Sequence, residues 1–239
     1  MQVWEKGVGM CKTIAIITAR GGSKRIPKKN IKLFCGQPII VYSIKAALEA
    51  GCFDEVMVST DSEQIADIAK KTGARVPFFR SAENSNDFTT TYDVIKEVFE
   101  TYREQGEHFE QYCCIYPTAP FITPKKLNDA MQLLKEENTD AVVPIVKYSF
   151  PPQRSFYVEE GFVKYQYPEH RLTRSQDLQS IYHDAGQFYC GKTDRLLAQE
   201  KLIMDKTVPV ILNEQEVQDI DTLEDWELAE IKYQRIYKG

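Results

Sequence analysis

The sequence predicts an α/β protein built around a mainly parallel sheet. From Thr13 onward, short apolar runs alternate with stretches of helical periodicity, the order that βαβ units leave in a sequence. The 239 residues, 43% hydrophobic and 27% charged, can bury a sizeable core without disulfide or metal staples. That balance excludes disorder, coiled coil and collagen as the main architecture.

Taken in order, Ile14 to Thr18 is the first buried strand. Pro38, with its preset φ, opens a helix whose residues Ile40, Ile44, Ala47 and Leu48 form one apolar stripe, and Gly51 stops it. Val56 to Ser59 is the second strand, after which Asp61 can cap a helix carrying Ile65, Ile68 and Ala69 that ends near Gly73. A short strand near Val76 and a polar loop precede the helix marked by Val94, Ile95, Val98, Phe99 and Tyr102. Tyr112 to Tyr116 and Ala141 to Val146 are further central strands, separated by a helix that starts after Thr123 and Pro124. Residues 147 to 185 break the pattern. Rich in Tyr, Phe, Pro and Gln and without a helical stripe, they read as hairpins and loops inserted into the α/β body, suited to a substrate lid or a subunit interface. Gly186 to Cys190, Val208 to Leu212 and Val217 to Ile220 resume the strands. Thr222 with Asp225 resembles a capping box for the last helix, which carries Leu223, Trp226, Leu228, Ile231 and Tyr233.

Six cysteines form no Cys-x-x-Cys pair and only three histidines accompany them, so neither a zinc site nor a disulfide framework is expected. Reduced thiols imply the cytoplasm. Cys113 and Cys114 read as small buried residues of a strand. No apolar segment reaches the ~18 residues of a membrane helix. Residues 1 to 11 lack a signal-peptide core and read as a flexible extension, with Met10 an alternative start.

The net charge of −5 argues against a nucleic-acid partner, but it hides a polarised distribution. Residues 6 to 48 hold nine Lys or Arg and no acid, which leaves −14 on the rest of the chain. Within that segment, Arg20-Gly21-Gly22-Ser23-Lys24-Arg25-Ile26-Pro27-Lys28-Lys29-Asn30 follows the first strand directly, at the sheet edge where open α/β folds bind ligands. Two glycines let backbone amides approach an anion, while Arg20, Lys24 and Lys29 supply charge that a triphosphate can use. The string matches neither a Walker A loop nor a dinucleotide fingerprint. A solvated basic turn is the plainer alternative, disfavoured by the self-repulsion of five cations beside a buried strand. At the other end, Glu214 to Glu230 holds eight acids and no base. Asp219 and Asp221, two apart, leave an extended segment on one face and can share a hard cation. They suit an acidic helix start equally well, with Asp221 near the helix dipole.

The string Ile16 to Asn30 resembles the opening motif of the CMP-sugar synthetases that activate nonulosonic acids. Ser59-Thr60-Asp61, Arg80-Ser81, Asn86-Asp87, Tyr116-Pro117-Thr118-Ala119-Pro120 and Asp219-Ile220-Asp221-Thr222 follow in that family's order and spacing, and the resemblance runs from about Thr13 to Tyr233. Thr18 stands where the family usually has Pro or Leu, at the strand end and away from the chemistry. The resemblance implies a Rossmann-like nucleotidyltransferase fold in one domain, residues 12–239, with 147–185 as a dimerisation and lid element of a homodimer. It implies transfer of CMP from CTP to the anomeric hydroxyl of a nonulosonic acid, with release of pyrophosphate. Asp219 and Asp221 match the Mg²⁺ ligands. Arg20 and Lys29 fall where the leaving pyrophosphate is stabilised, with Asp221 beside them in the catalytic set. Ala19 and Asn30 belong to the nucleotide site, Ser23 with the Gly21 and Gly22 amides seats the triphosphate, and Ser59, Arg80 and Asp87 surround the cytidine.

The sugar end is less settled. Tyr116 stands where the sialic acid branch commonly has Gln, and the segments Cys114 to Phe121, Phe150 to Arg154 and His183 to Tyr189 look most like the pseudaminic acid branch. On that resemblance Tyr116, Thr118, Arg154, Arg174, Gln176, Gln187 and Phe188 meet the sugar. Arg154 and Arg174 can hold its carboxylate by bidentate hydrogen bonds, although the Arg174 segment suits an interface salt bridge as well. His183 reads as a structural hydrogen-bonding residue, and no general base stands out, which leaves metal activation of the attacking hydroxyl as the working expectation. Sialic or legionaminic acid is the alternative substrate, and a non-catalytic nucleotide-binding module the more distant one.

Overall fold

The structure, a computed structural model, describes residues 11–237, so the expected extension falls outside the described residues except for Cys11, which is exposed. The strands are β1 (Thr13–Thr18), β2 (Leu33–Phe34), β3 (Gln37–Pro38), β4 (Glu55–Ser59), β5 (Gln111–Ile115), β6 (Ala141–Lys147), β7 (Phe156–Glu159), β8 (Phe162–Tyr165), β9 (Tyr182–Asp184), β10 (Phe188–Lys192) and β11 (Thr207–Leu212). The helices are α1 (Ile40–Ala50), α2 (Glu63–Thr72), α3 (Thr91–Glu104), α4 (Pro124–Leu134), α5 (Thr193–Gln199) and α6 (Leu223–Tyr237). A seven-stranded sheet in the order β11-β6-β10-β5-β1-β4 forms the centre, with β9 also on β6. β1 pairs in parallel with β4 and β5, and β11 with β6.

Alternation along β1 shows why the central strands are apolar throughout. Ala15 and Ile17 pack on one face with α1 and α4 residues such as Ile44 and Leu127, whereas Ile14 and Ile16 pack on the other with Ile95 and Val98 of α3. A third cluster gathers Ile26, Phe34, Ile39, Tyr42, Phe121, Ile220 and Trp226. Helix ends follow their predicted signals at Gly51 and Gly73, both left-handed, at Thr123, which accepts from Lys126 N, and at the Thr222–Asp225 box.

Several expectations are corrected. Pro38 belongs to the β2–β3 hairpin, and α1 begins at Ile40. Near Val76 there is only a single bridge, between Met57 and Arg75. Val217 to Ile220 has no strand partner among the described residues and runs on as an irregular segment. The strand expected from Gly186 starts at Phe188 and runs antiparallel to β5 and β6. The reason is geometric: residues 148 to 181 leave from the end of β6 and return to it, so the returning chain must run backwards, first as β9 and then, past a turn at Gly186 with φ +63°, as β10. Leu223, Leu228 and Ile231 of α6 are exposed, while Trp226 and Ala229 form its buried stripe. Among the described residues, no helix is long and apolar enough to cross a membrane.

Candidate active site

A cleft of about 440 Å³ opens at the carboxyl ends of β1 and β5, lined by Thr18, Arg20, Ser23, Lys24, Arg25, Lys29, Asn30, Asp87, Tyr116 and Thr118 among others. Two apolar anchors explain how its opposite charges meet. Ile26 lies within the basic loop and Ile220 between the two aspartates, and both are buried in the same cluster. Their burial carries the flanking charges together. Arg25 Nη1 lies 2.6 Å from Asp221 Oδ2, Lys29 Nζ lies 3.6 Å from Asp221 Oδ1, and Lys29 Nζ donates to Ile220 O at 2.7 Å.

The loop is closed by polar contacts. Asn30, buried, donates from Nδ2 to Arg20 O at 2.9 Å. Gly21 N donates to Asp61 Oδ1 at 2.7 Å, so Asp61 serves the loop and does not cap α2, whose N-cap is Ser62. A Cβ on Gly21 would sit 3.1 Å from Ser62 Cβ, which explains the glycine there, whereas Gly22 faces open space. Arg20 Nη1 pairs with Asp87 at 2.7 Å and Lys24 pairs with the other carboxylate oxygen. The hydrogen bonds from Lys24 and Arg20 hold Asp87 below the usual carboxylate range. Asp87 does not cap a helix; Thr90 caps α3.

Ser59 and Arg80 are brought to each other. Arg80, 8% exposed, donates from Nε to Ser59 Oγ at 3.0 Å and from Nη2 to Ser59 O at 2.6 Å, and burial lowers its pKa. They adjoin the loop through Ala19, whose N–H donates to the same Ser59 O, but neither lines the cleft. On the far wall Tyr116 is fixed from both sides, its N–H donating to Gln187 O at 2.9 Å and its carbonyl accepting from Ser43 Oγ at 2.8 Å.

Of the residues expected to meet the sugar, Tyr116 and Thr118 line the cleft and the others do not. Phe188 is fully buried in the core beneath the sheet and has no surface to offer a ligand, because its place on β10 points it into the cluster of Ile17 and Ile115. Gln187 is also buried and donates from Nε2 to Glu216 O at 2.7 Å, bracing the chain before Val217. Arg154, Arg174 and Gln176 lie exposed on the excursion; Arg154 Nη1 donates to Ser175 Oγ at 3.0 Å, and Gln176 lines a separate cavity of about 290 Å³ with Lys147, Tyr148 and Ser149. His183 is exposed, its Nδ1 within 2.9 Å of Asp184 O, and it stacks with Tyr148. Sequence reasoning gave no role to Thr91, or to Asp184 and Tyr189 within the His183 to Tyr189 string; Thr91 and Tyr189 contact Tyr116, and Asp184 holds Tyr189.

Asp219 and Asp221 suit a hard divalent cation in chemistry: two carboxylates flank a buried Ile220 in an unpaired segment, one exposed and the other half-buried against Arg25 and Lys29 of the cleft. Among the described residues no third acid, His or Cys joins them in metal-binding reach. Further ligands would come from phosphate oxygens and water.

The cytidylyltransferase family model matches residues 14–227. The chain belongs to the cytidylyltransferase family. This cytidylyltransferase is 39% identical over 223 residues to the pseudaminic acid cytidylyltransferase of Campylobacter jejuni subsp. jejuni serotype O:2, covering 93% of this chain and 96% of that one. It is 34% identical over 226 residues to the CMP-N,N'-diacetyllegionaminic acid synthase of Legionella pneumophila, covering 91% and 94%. Its fold is shared with the CMP:2-keto-3-deoxy-manno-octonic acid synthetase complexed with CTP, at a TM-score of 0.68 and 18% identity, over 94% of this chain and 99% of that one.

Proposed function

We propose that the protein transfers CMP from CTP to the anomeric hydroxyl of a nonulosonic acid, pseudaminic acid in preference to its legionaminic or sialic relatives. The observation that carries this reading is the cleft lined by four cations of the glycine loop, which pair with the carboxylates of Asp87 in its wall and of Asp221 beside it. The higher identity to the pseudaminic acid enzyme, and Tyr116 at the cleft wall, favour that sugar.

The sugar hydroxyl attacks the α-phosphorus in line and loses its proton to solvent, the bond to the bridging oxygen breaks, and pyrophosphate leaves with the electron pair. Arg20 and Lys29 neutralise the charge that grows on the departing oxygens, and Ser23 with the Gly22 amide seats the triphosphate. The Gly21 amide joins them where a phosphate displaces Asp61. Arg80, with Ser59, meets the cytosine past Ala19, and Asp87 lies toward the ribose. Arg154 and Arg174 reach the sugar carboxylate when the excursion closes. Asp219 and Asp221 would hold Mg²⁺, which when bound supplies positive charge to the phosphate oxygens and polarises the attacking hydroxyl. Positioning and electrostatics carry most of the rate.

The excursion supports a homodimer and a lid. Its β7–β8 hairpin is exposed along its whole length, with Val158 71% and Phe162 70% exposed, more apolar surface than an isolated hairpin keeps in water. The buried, unpaired thiols of Cys113, Cys114 and Cys190 suit a reducing compartment, the cytoplasm. The test is pyrophosphate release with CTP, Mg²⁺ and each of pseudaminic, legionaminic and sialic acid. Turnover greatest with pseudaminic acid is expected; CTP binding without release from any of the three would refute the reading.

A further inference from the structure

Tyr116 takes part in a run of side-chain contacts that extends behind the cleft. Its hydroxyl lies 3.1 Å from Oγ1 of Thr91, the first residue of α3. Its ring packs against that of Tyr189 with centroids 5.3 Å apart and planes at 59°. Tyr189, 6% exposed, donates its hydroxyl to Asp184 Oδ2 at 2.6 Å, a short, charge-assisted bond. The other oxygen of Asp184 accepts from Gly186 N at 2.7 Å, across the turn that brings β9 back into β10. Burial raises the pKa of both phenols, and the nearby Asp184 carboxylate raises both further, so the pair stays protonated.

These contacts have a direction. Because Tyr189 gives its proton to a carboxylate, its ring is anchored at the hydroxyl end and forms the surface on which the Tyr116 ring rests. With the Tyr116 backbone already tied to Gln187 O and to Ser43 Oγ, the remaining freedom at this wall is the tilt of its ring and the aim of its hydroxyl. Tyr189 and Asp184 remove that freedom without lining the cleft themselves.

We infer that Asp184 and Tyr189 are positioning residues: they fix Tyr116 in the cleft wall and so determine how well the acceptor sugar is held. The inference rests on the proposed reading of this wall as the acceptor side. Its loss is felt by the sugar and not by CTP, whose triphosphate meets the opposite loop.

The test compares Tyr189→Phe and Asp184→Asn with the unmodified enzyme, varying CTP and the nonulosonic acid separately. Removing one hydrogen bond to a charged partner is expected to lower kcat/KM for the sugar about tenfold, chiefly through KM, with KM for CTP unchanged. Tyr116→Ala combined with Tyr189→Phe should lose no more than Tyr116→Ala alone, because Tyr189 acts only through the Tyr116 ring. Unaltered sugar kinetics in Tyr189→Phe, or equal losses for sugar and CTP together with a lowered Tm, would overturn the inference. If Tyr189→Phe does not fold, Asp184→Asn, at an exposed residue, gives the same readout. Failure of the unmodified enzyme to turn over any nonulosonic acid would instead remove the reading beneath the inference, a separate and recognisable result.

Discussion

On the side of the basic loop, four cations share the carboxylates of Asp87 and Asp221, whereas the excursion between β6 and β10 presents its arginines and aromatic side chains to solvent. The first region is organised by the chain itself. Ile26, Ile220 and Asn30 are buried, and the charges they carry are aimed before any ligand arrives, which is what electrostatic stabilisation of a leaving group requires. Four cations against two carboxylates leave a surplus of positive charge suited to a triphosphate. The second region has little of this support, since β7 and β8 pair only with each other. The basic loop is thus organised within the described fold, while the excursion is not held by the rest of the chain in the same way.

The contrast is broken most sharply at the acidic pair. Asp221 is tied to the loop and Asp219 is not, so Asp221→Ala should reduce pyrophosphate release by roughly 10²- to 10³-fold, with Asp219→Ala costing less. Both proteins should remain folded by circular dichroism. Equal rates for Asp221→Ala and the unmodified enzyme would remove Asp221 from the chemistry.

Next in size is the hairpin. Val158→Asp with Phe162→Asp places two charges on surface that is already exposed, and a lone chain should tolerate them within roughly 0.5 kcal/mol. If the hairpin is a subunit interface, sedimentation will show the mass halved and sugar turnover reduced. An unchanged mass would leave the hairpin with the lid role alone. By contrast, Arg80→Met acts within the organised region, losing both bonds to Ser59 and costing on the order of 1–3 kcal/mol of stability. Chemical denaturation with a simultaneous rise in KM for CTP is the expected pair of results.

What the sequence made legible follows the same division. Local signals placed β1, β4, β5 and β6, because strands buried on both faces are apolar throughout, and β11 by its β-branched run, and they placed the helix ends at Gly51, Gly73 and Thr123 because those residues act within one turn. The basic loop and the acidic pair were visible as charge. Their meeting was implied by the family resemblance and not by local pattern, since it depends on Ile26 and Ile220 packing together across almost the whole chain. Direction also escaped: Phe188 and Gln187 stand in a string that resembles sugar-binding segments, yet the antiparallel return of β10 buries both. Asp61, read as a cap from its position before α2, is drawn instead to Gly21, a contact between different sheet-edge loops.

The smallest effect concerns Asp87. Asparagine keeps the size of this side chain and drops the charge that competes with a triphosphate for Arg20 and Lys24, so Asp87→Asn should lower KM for CTP about threefold, the scale of an exposed ion pair. The pH dependence sharpens the assignment. Lys24 and Arg20 hold the Asp87 carboxyl below its ordinary value of 3.8, so the ion pair is complete above the pKa of the unfolded chain and is lost only as pH falls through the lower, folded one. From pH 5.5 to 8 the group stays ionised. The KM curves of the variant and the unmodified enzyme should therefore run parallel over that range, any titration of CTP itself cancelling between them. Curves that converge toward pH 5.5 would mean that Asp87 titrates there and that the two cations are not its partners in the working enzyme.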